Sequence, residues 1–99
     1  MAAYIISDLT VLDPDAIAVY RTRAAASIAR HGGRYLARGG KIEVLEGSWD
    51  PKQIVVVEFP DADRARAWYR SPDYAEALAV RDRALTRNLL LVEGVVSAV

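Results

Sequence analysis

The feature that most constrains the fold of this chain is an unbroken run of isoleucine and valine at residues 54–57. Successive side chains of a β-strand point to opposite faces, so a strand built from this run is apolar on both faces. Such strands lie at the centre of a sheet that is covered on each side. We therefore predict a central strand at residues 53–59, ended by Pro60, with helices over one face of the sheet and a second subunit over the other.

Two glycine pairs, at residues 32–33 and 39–40, enclose a second segment with strand composition at residues 34–38. The first pair suits the left-handed backbone that ends a helix, and the second permits a bulge or a sharp bend. Strict alternation along this segment predicts that Arg38 lies on the sheet face opposite to Tyr35.

The rest of the chain alternates strands and helices. We expect the second strand to resume at residues 41–47 and to join the central strand as a hairpin through a turn at residues 47–51. Apolar composition predicts a first strand at residues 4–11 and a last strand at residues 89–96. Capping residues and apolar spacing predict a helix from Asp13 to His31 and two further helices that begin after Asp61 and Ser71. The apolar side of the helix after Ser71 is expected to consist of Tyr74, Leu78 and Leu85. The right-handed crossover rule makes this an α+β split βαβ fold, βαββαβ, with a four-stranded antiparallel sheet of order 4-1-3-2 and helices on one face.

Composition bounds the class of protein. The 99 residues form one domain, residues 1–99, and 53% of them are hydrophobic, so part of the apolar surface is expected in a homodimer interface. Thirteen basic and thirteen acidic residues cancel, which disfavours a nucleic-acid partner. The absence of cysteine excludes disulfides, thiolate nucleophiles and cysteine-ligated zinc.

The amino-terminal segment lacks the pattern of an exported protein. It has no basic region before its apolar residues and reaches Asp8 too early for a signal peptide. No apolar run approaches the roughly 20 residues of a spanning helix. We expect a cytoplasmic protein without a membrane partner.

A set of short segments, spread over nearly the whole chain, carries a family resemblance. The segments are Ala3-Tyr4-Ile5-Ile6 with Asp13-Pro14, Gly32-Gly33-Arg34-Tyr35-Leu36 with Arg38-Gly39-Gly40, Glu43-Val44-Leu45-Glu46-Gly47, Glu58-Phe59-Pro60, Ala65-Arg66-Ala67-Trp68-Tyr69 with Ser71-Pro72 and Tyr74, and Leu91-Val92-Glu93-Gly94. Together they resemble a bacterial family known only as domain-of-unknown-function family 1330, in the dimeric α/β-barrel superfamily. The resemblance implies ferredoxin-like subunits that place their sheets face to face as a barrel. It implies no assigned reaction.

The wider superfamily includes cofactor-independent monooxygenases, small isomerases and haem-degrading enzymes, which resemble this chain in fold rather than in motif. Fold alone does not transfer chemistry. Haem-degrading members hold iron with a helical histidine, but the helices predicted between residues 62 and 85 contain none. The single histidine, His31, is expected at a helix end, where it either interacts with the helix dipole or carries protons near neutral pH. We expect no haem, no metal and no other cofactor.

Acidic residues inside apolar strands are the first candidates for chemistry: Asp8, Glu58 and Glu93. Glu58 and Glu93 are expected at the same end of the sheet, with Arg38 entering from that end. Apolar surroundings raise a carboxyl pKa in general, and such a group can act as a base toward an acidic phenol or enol, which makes Glu58 and Arg38 the candidate catalytic pair. The alternative is that each glutamate pairs with an arginine or reaches solvent.

Aromatic residues on the helices are the second group of candidates. Tyr20, Trp68, Tyr69 and Tyr74, with Arg81, are able to line a pocket between helices and sheet that holds a planar ligand. The alternative is ordinary core packing. A further tryptophan, Trp49, lies in the predicted turn and is either a subunit contact or locally packed.

Two functions follow from these candidates. The first is a small-molecule binding protein, or a cofactor-independent enzyme, with a cleft between helices and sheet. The alternative is a structural or interaction module whose role is dimerisation. An enclosed cavity with converging polar groups favours the first, and a filled layer between helices and sheet favours the second.

Overall fold

The computed structural model describes residues 1–95, which contain four strands and three helices. In chain order these are β1 (Ala3–Val11), α1 (Pro14–Arg30), β2 (Arg34–Arg38), β3 (Gln53–Phe59), α2 (Ala62–Tyr69), α3 (Pro72–Ala84) and β4 (Leu85–Glu93). The strands form one antiparallel sheet of order β2-β3-β1-β4. This is the predicted ferredoxin-like βαββαβ fold, with the predicted order 4-1-3-2 read from the other edge.

Local chemistry sets where the helices begin and end, as predicted. The side chains of Asp13, Asp61 and Ser71 each accept a hydrogen bond from a backbone amide in the first turn of the following helix. His31 caps the end of α1, and Gly32 then takes a left-handed backbone with φ of 79°.

The core lies between the three helices and one face of the sheet. Its sheet residues include Ile5, Val57 and Phe59, and its helix residues include Ile17, Tyr20, Trp68 and Tyr74. The opposite face carries a row of aligned apolar residues, because Ile6 is in register with Val56 on one side and Leu90 on the other. Within residues 1–95 this open face is uncovered, and Leu90 is 58% exposed. Residues 54–57 are therefore apolar on both faces, but residues 1–95 cover only one of them.

The predicted strand at residues 41–47 is wrong. Residues 39–52 form a loop, and β2 pairs with β3 directly. The register explains the difference: Arg38 lies opposite Val55, and β3 begins only two residues earlier at Gln53. A longer second strand would leave its backbone groups without partners.

The junction between α3 and β4 also differs from the prediction. Leu85 is the first residue of β4 rather than part of the helix, so the last strand begins four residues before the predicted Leu89. The cause is pairing with β1, which extends as far as Val11 opposite Leu85. The predicted end of this strand, Val96, lies outside the described residues.

Candidate functional site

A narrow cavity of about 50 Å³ lies between α1 and the sheet. Its apolar wall comes from both layers and includes Ile17 of α1 and Val57 of β3. Three arginines also line it, Arg21, Arg38 and Arg87, whereas no aspartate or glutamate does. The chain as a whole is electrically balanced, so this cavity concentrates positive charge that the rest of the molecule does not share.

Three residues from three different elements meet at one end of the cavity, and we call them the tyrosine–arginine cluster: Tyr20, Tyr74 and Arg87. Arg87 Nη1 donates to the Tyr20 hydroxyl at 2.7 Å, and Nη2 donates to the Tyr74 hydroxyl at 2.8 Å. The two hydroxyl oxygens are themselves 2.5 Å apart. One planar guanidinium therefore holds both phenol groups, as its fork of donors allows.

Secondary structure explains why these three residues meet. Tyr20 belongs to the buried stripe of α1, and Tyr74 lies in the first turn of α3 just after its capping serine. Arg87 lies opposite Leu9, which is buried against the helices, so its side chain emerges on the helix-covered face of the sheet. Over residues 85–91, the helix side of β4 thus carries one arginine among leucines.

The hydrogen-bond count leaves one group of the cluster available to a ligand. Two hydroxyl hydrogens are present, and the bond between Tyr20 and Tyr74 uses one of them. Either oxygen can be the donor in that bond, and donation from the fully buried Tyr74 to Tyr20 is the arrangement that satisfies the Tyr74 hydrogen. In that arrangement the hydroxyl hydrogen of Tyr20, which lines the cavity, has no acceptor among residues 1–95. It is free to donate to a ligand oxygen.

The surroundings shift the pKa of two members of the cluster, Tyr74 and Arg87. Burial raises the pKa of the Tyr74 hydroxyl well above its usual value, so this phenol stays neutral. Burial alone would lower the pKa of Arg87, but the two tyrosine oxygens outweigh it and the pKa is raised. Among residues 1–95, no carboxylate lies within ion-pair distance of Arg87. The guanidinium is a half-buried cation whose hydrogen-bond partners are two phenol hydroxyls rather than a carboxylate.

A second polar group lies at the β2 side of the cavity, and we call it the mouth group: Arg21, Tyr35, Arg38 and Gln53. The guanidinium of Arg38 stacks 4.4 Å from the centre of the Tyr35 ring, and Arg21 donates to Gln53 Oε1 at 3.0 Å. Burial raises the pKa of the Tyr35 hydroxyl, although Arg38 acts in the opposite direction.

The position of Arg38 corrects the prediction from strict alternation. A β-bulge between Tyr35 and Ala37 adds one residue to β2, so Arg38 follows Tyr35 onto the helix-covered face. Arg38 therefore joins the cavity instead of the open face.

The structure does not bring Glu58 and Arg38 together, so the predicted catalytic pair is wrong. Glu58 lies on the open face and forms an ion pair with Arg34 at 2.8 Å. Arg38 lies opposite Val55, toward the other end of the strand pair. Glu58 and Glu93 do share one end of the sheet, because their neighbours on β1 are Tyr4 and Ala3.

The predicted aromatic set divides between the cavity and the surface. Trp68 lines the cavity, but its indole N–H is used by Ser27 Oγ at 3.0 Å, so it contributes packing rather than a free donor. Tyr69 is 40% exposed and lines, with Arg81, a more open groove that adjoins the cavity and shares Arg87 with it. Arg81 interacts with the neighbouring Asp82 at 3.3 Å.

The remaining candidates make local contacts. His31 Nδ1 is 2.9 Å from the backbone oxygen of Ser27 at the end of α1. Trp49 donates its indole N–H to Asp8 at 3.1 Å and is otherwise largely exposed. No group of three metal-ligating side chains occurs among residues 1–95, and no helix in that range is long and apolar enough to cross a membrane.

Residues 2–95 match the model of a family described as domain of unknown function DUF1330. The chain belongs to the DUF1330 family. The match covers the sheet, the three helices and both polar groups of the cavity, and it confirms the family resemblance seen in the sequence segments.

Solved structures show the same fold in proteins of distant sequence. A protein of unknown function from Rhodopseudomonas palustris, RPA0582, has a TM-score of 0.75 and 20% identity, over 95% of this chain and 82% of that one. A dimeric ferredoxin-like protein of unknown function from Thermobifida fusca has a TM-score of 0.65 and 21% identity, over 94% and 91%. SnoaB, a cofactor-independent oxygenase from Streptomyces nogalater, has a TM-score of 0.67 and 17% identity, over 98% and 96%.

These likenesses establish the ferredoxin-like fold of this DUF1330 chain and do not assign its chemistry. A comparison with curated proteins found no match. The function must therefore be argued from the site.

Sequence reasoning missed Arg87 and Tyr35 as site residues. Arg87 falls between a helix end and an apolar strand, where it resembles an ordinary boundary residue. Aligning β4 with β1 would have revealed it, because the partner of Arg87 is the buried Leu9. Tyr35 was placed on the correct strand, but its contact with Arg38 depends on the bulge, which the sequence does not reveal.

Proposed function

We propose that this protein binds a planar small molecule through an acidic oxygen, in the cavity between α1 and the sheet. The observation that carries the proposal is the guanidinium of Arg87, which is held by two phenol hydroxyls and has no carboxylate partner among residues 1–95. A half-buried cation is stabilised by a bound anion more strongly than by neutral groups.

The tyrosine–arginine cluster suits an oxygen that carries negative charge. Arg87 supplies charge, and Tyr20 supplies its hydroxyl hydrogen when Tyr74 is the donor between the two phenols. A carboxylate, a phenolate or an enolate presents the acceptor that both donors need. Preorganised donors of this kind also stabilise an anion that forms during a reaction, which is what a cofactor-independent enzyme would require.

The rest of the cavity suits an apolar, flat body. Side chains such as Ile17, Val57 and Leu89 line it, and Trp68 adds an aromatic surface. At about 50 Å³ the cavity is smaller than the roughly 150 Å³ of cavities that bind benzene, so a ring must displace side chains to enter. Arg21 and Arg38 are exposed and are the side chains best able to move.

We also propose a homodimer formed through the open face. The row of Ile6, Val56 and Leu90 is apolar and uncovered within residues 1–95, and the Thermobifida fusca protein of the same fold is described as dimeric. The alternative function is dimerisation alone, and that hypothesis predicts a filled layer between helices and sheet. The cavity and its three arginines favour ligand binding. The cytoplasmic location stays a prediction.

A thermal-shift experiment tests the binding proposal. We would titrate 2-naphthoate and its neutral analogue 2-naphthamide into the wild type, into Arg87→Met and into Arg83→Met. Arg83 is an exposed arginine of α3 that lines none of the cavities described above. Arg83→Met therefore changes the net charge by the same amount as Arg87→Met without altering the cavity. We expect 2-naphthoate to stabilise the wild type and Arg83→Met but not Arg87→Met, and 2-naphthamide to stabilise none. Equal stabilisation of all three proteins by 2-naphthoate, or no stabilisation of any, would reject the site.

A further inference from the structure

The cavity has two separate cationic ends, and the tyrosine–arginine cluster accounts for only one of them. The mouth group supplies Arg38 and Arg21 from β2 and α1, whereas Arg87 comes from β4. β2 and β4 are the two edge strands of the sheet. Three interstrand steps separate them, which places their backbones about 14 Å apart.

The arginine at each end of the cavity contacts tyrosine side chains, and the tyrosines differ between the two ends. Arg87 is hydrogen-bonded to Tyr20 and Tyr74, and Arg38 is stacked on Tyr35. Neither arginine forms an ion pair with a carboxylate of residues 1–95. The mouth is thus a second position where positive charge has no carboxylate partner among residues 1–95, and apolar side chains such as Val55 and Val57 lie between the two.

The backbone of β2 is shaped to bring Arg38 to this position. Without the bulge between Tyr35 and Ala37, Arg38 would point to the open face beside Arg34. The added residue interrupts the hydrogen bonding between β2 and β3, which weakens their pairing. Its effect on the side chains is to direct the Arg38 guanidinium into the cavity. Bulges that redirect side chains in this way are common beside binding sites.

We infer that the ligand is a dianion: an apolar, planar body with one acidic group bound by Arg87 and a second bound by Arg38 and Arg21 at the mouth. This inference rests on the proposed function, since it extends the same cavity. Three like charges around one cavity repel one another in the free protein, and a ligand with two negative charges relieves more of that repulsion than a ligand with one.

Two probes of nearly the same shape test the inference: terephthalate, which has two carboxylates, and its monomethyl ester, which has one. Their dissociation constants would be measured by calorimetry for the wild type, Arg38→Met, Arg21→Met and the control Arg83→Met. We expect the wild type and the control to bind terephthalate about tenfold more tightly than the ester. Arg38→Met should lose most of this preference, because its loss weakens the binding of terephthalate more than that of the ester, and Arg21→Met should lose part of it.

The outcomes separate this inference from the function on which it rests. If the ester and terephthalate bind the wild type equally, or if Arg38→Met keeps the preference, the dianion inference is wrong while the single-anion site stands. If neither probe binds the wild type, both fail. Circular dichroism of each variant checks folding, and Arg38→Lys, which keeps the charge, should retain most of the preference and so provides a second measurement.

Discussion

The phenol oxygens of Tyr20 and Tyr74 lie 2.5 Å apart although 54 residues separate them in sequence, and both accept from the guanidinium of Arg87. The contact joins α1, α3 and β4 at one point beneath the cavity. It therefore couples the binding site to the packing of the helices on the sheet, and changes within it should be visible in stability as well as in binding.

Removing the hydroxyl of Tyr74 should destabilise the fold. In Tyr74→Phe, Arg87 and Tyr20 each lose a buried hydrogen-bond partner, so we expect the free energy of unfolding to fall by about 1–3 kcal/mol. Tyr69→Phe is the matched control, because Tyr69 is 40% exposed, and it should change the value by less than about 0.5 kcal/mol. Urea denaturation followed by circular dichroism measures both. Equal losses in the two variants would show that the cluster adds nothing to stability.

The raised pKa of Tyr74 predicts a loss of stability in alkaline solution. Below the ordinary value of 10.0 the phenol is protonated in both the folded and unfolded chain, and its contribution is fully present. As the pH rises above 10.0, the unfolded chain releases this proton while the folded chain keeps it, so the free energy of unfolding falls until the folded group also ionises.

Urea unfolding midpoints measured across this alkaline range would follow the fall in the free energy of unfolding. Tyr74→Phe removes the titrating group, and its midpoints should depend less steeply on pH than those of the wild type. Parallel curves for the two proteins would contradict the assignment of the effect to Tyr74.

Neutralising Glu58 tests whether the predicted catalytic carboxylate belongs to the cavity. The ion pair of Glu58 with Arg34 lies on the open face, and Arg34 is largely exposed. Glu58→Gln should therefore lower stability by only about 0.2–1 kcal/mol and leave the affinity for 2-naphthoate unchanged. Calorimetric titration of wild type and variant provides the comparison. A large loss of affinity would restore Glu58 to the site.

A charge placed on the open face should break the proposed homodimer. Leu90 is 58% exposed there, and Val19 is 42% exposed on α1. We expect Leu90→Asp to shift the molecular mass from that of a dimer toward that of a monomer, because a carboxylate buried in an apolar interface is left unpaired. Val19→Asp should leave the mass unchanged. Light scattering after size-exclusion chromatography reads out the mass, and a wild type that is monomeric at all concentrations would reject the dimer.

Local sequence signals predicted much of the fold correctly. The capping residues Asp13, Asp61 and Ser71 act on amides only two or three positions away, so their role is independent of the rest of the molecule. The same holds for Gly32, whose left-handed backbone ends α1. Its neighbour Gly33 is different: a Cβ there would lie 2.7 Å from the ring of Phe59, a constraint that arises only when β3 packs beside the helix end.

The sequence by itself determined the order of the elements, the split βαβ topology and the apolar character of both faces of β3, because period, caps and turns are properties of neighbouring residues. Only the tertiary structure decided which polar groups meet. A single added residue in β2 turns Arg38 into the cavity, and the register of β4 on β1 brings Arg87 beneath two tyrosines from different helices. Register is set by pairing across the sheet, and shifting it by one residue exchanges the two faces, so strand composition cannot reveal it.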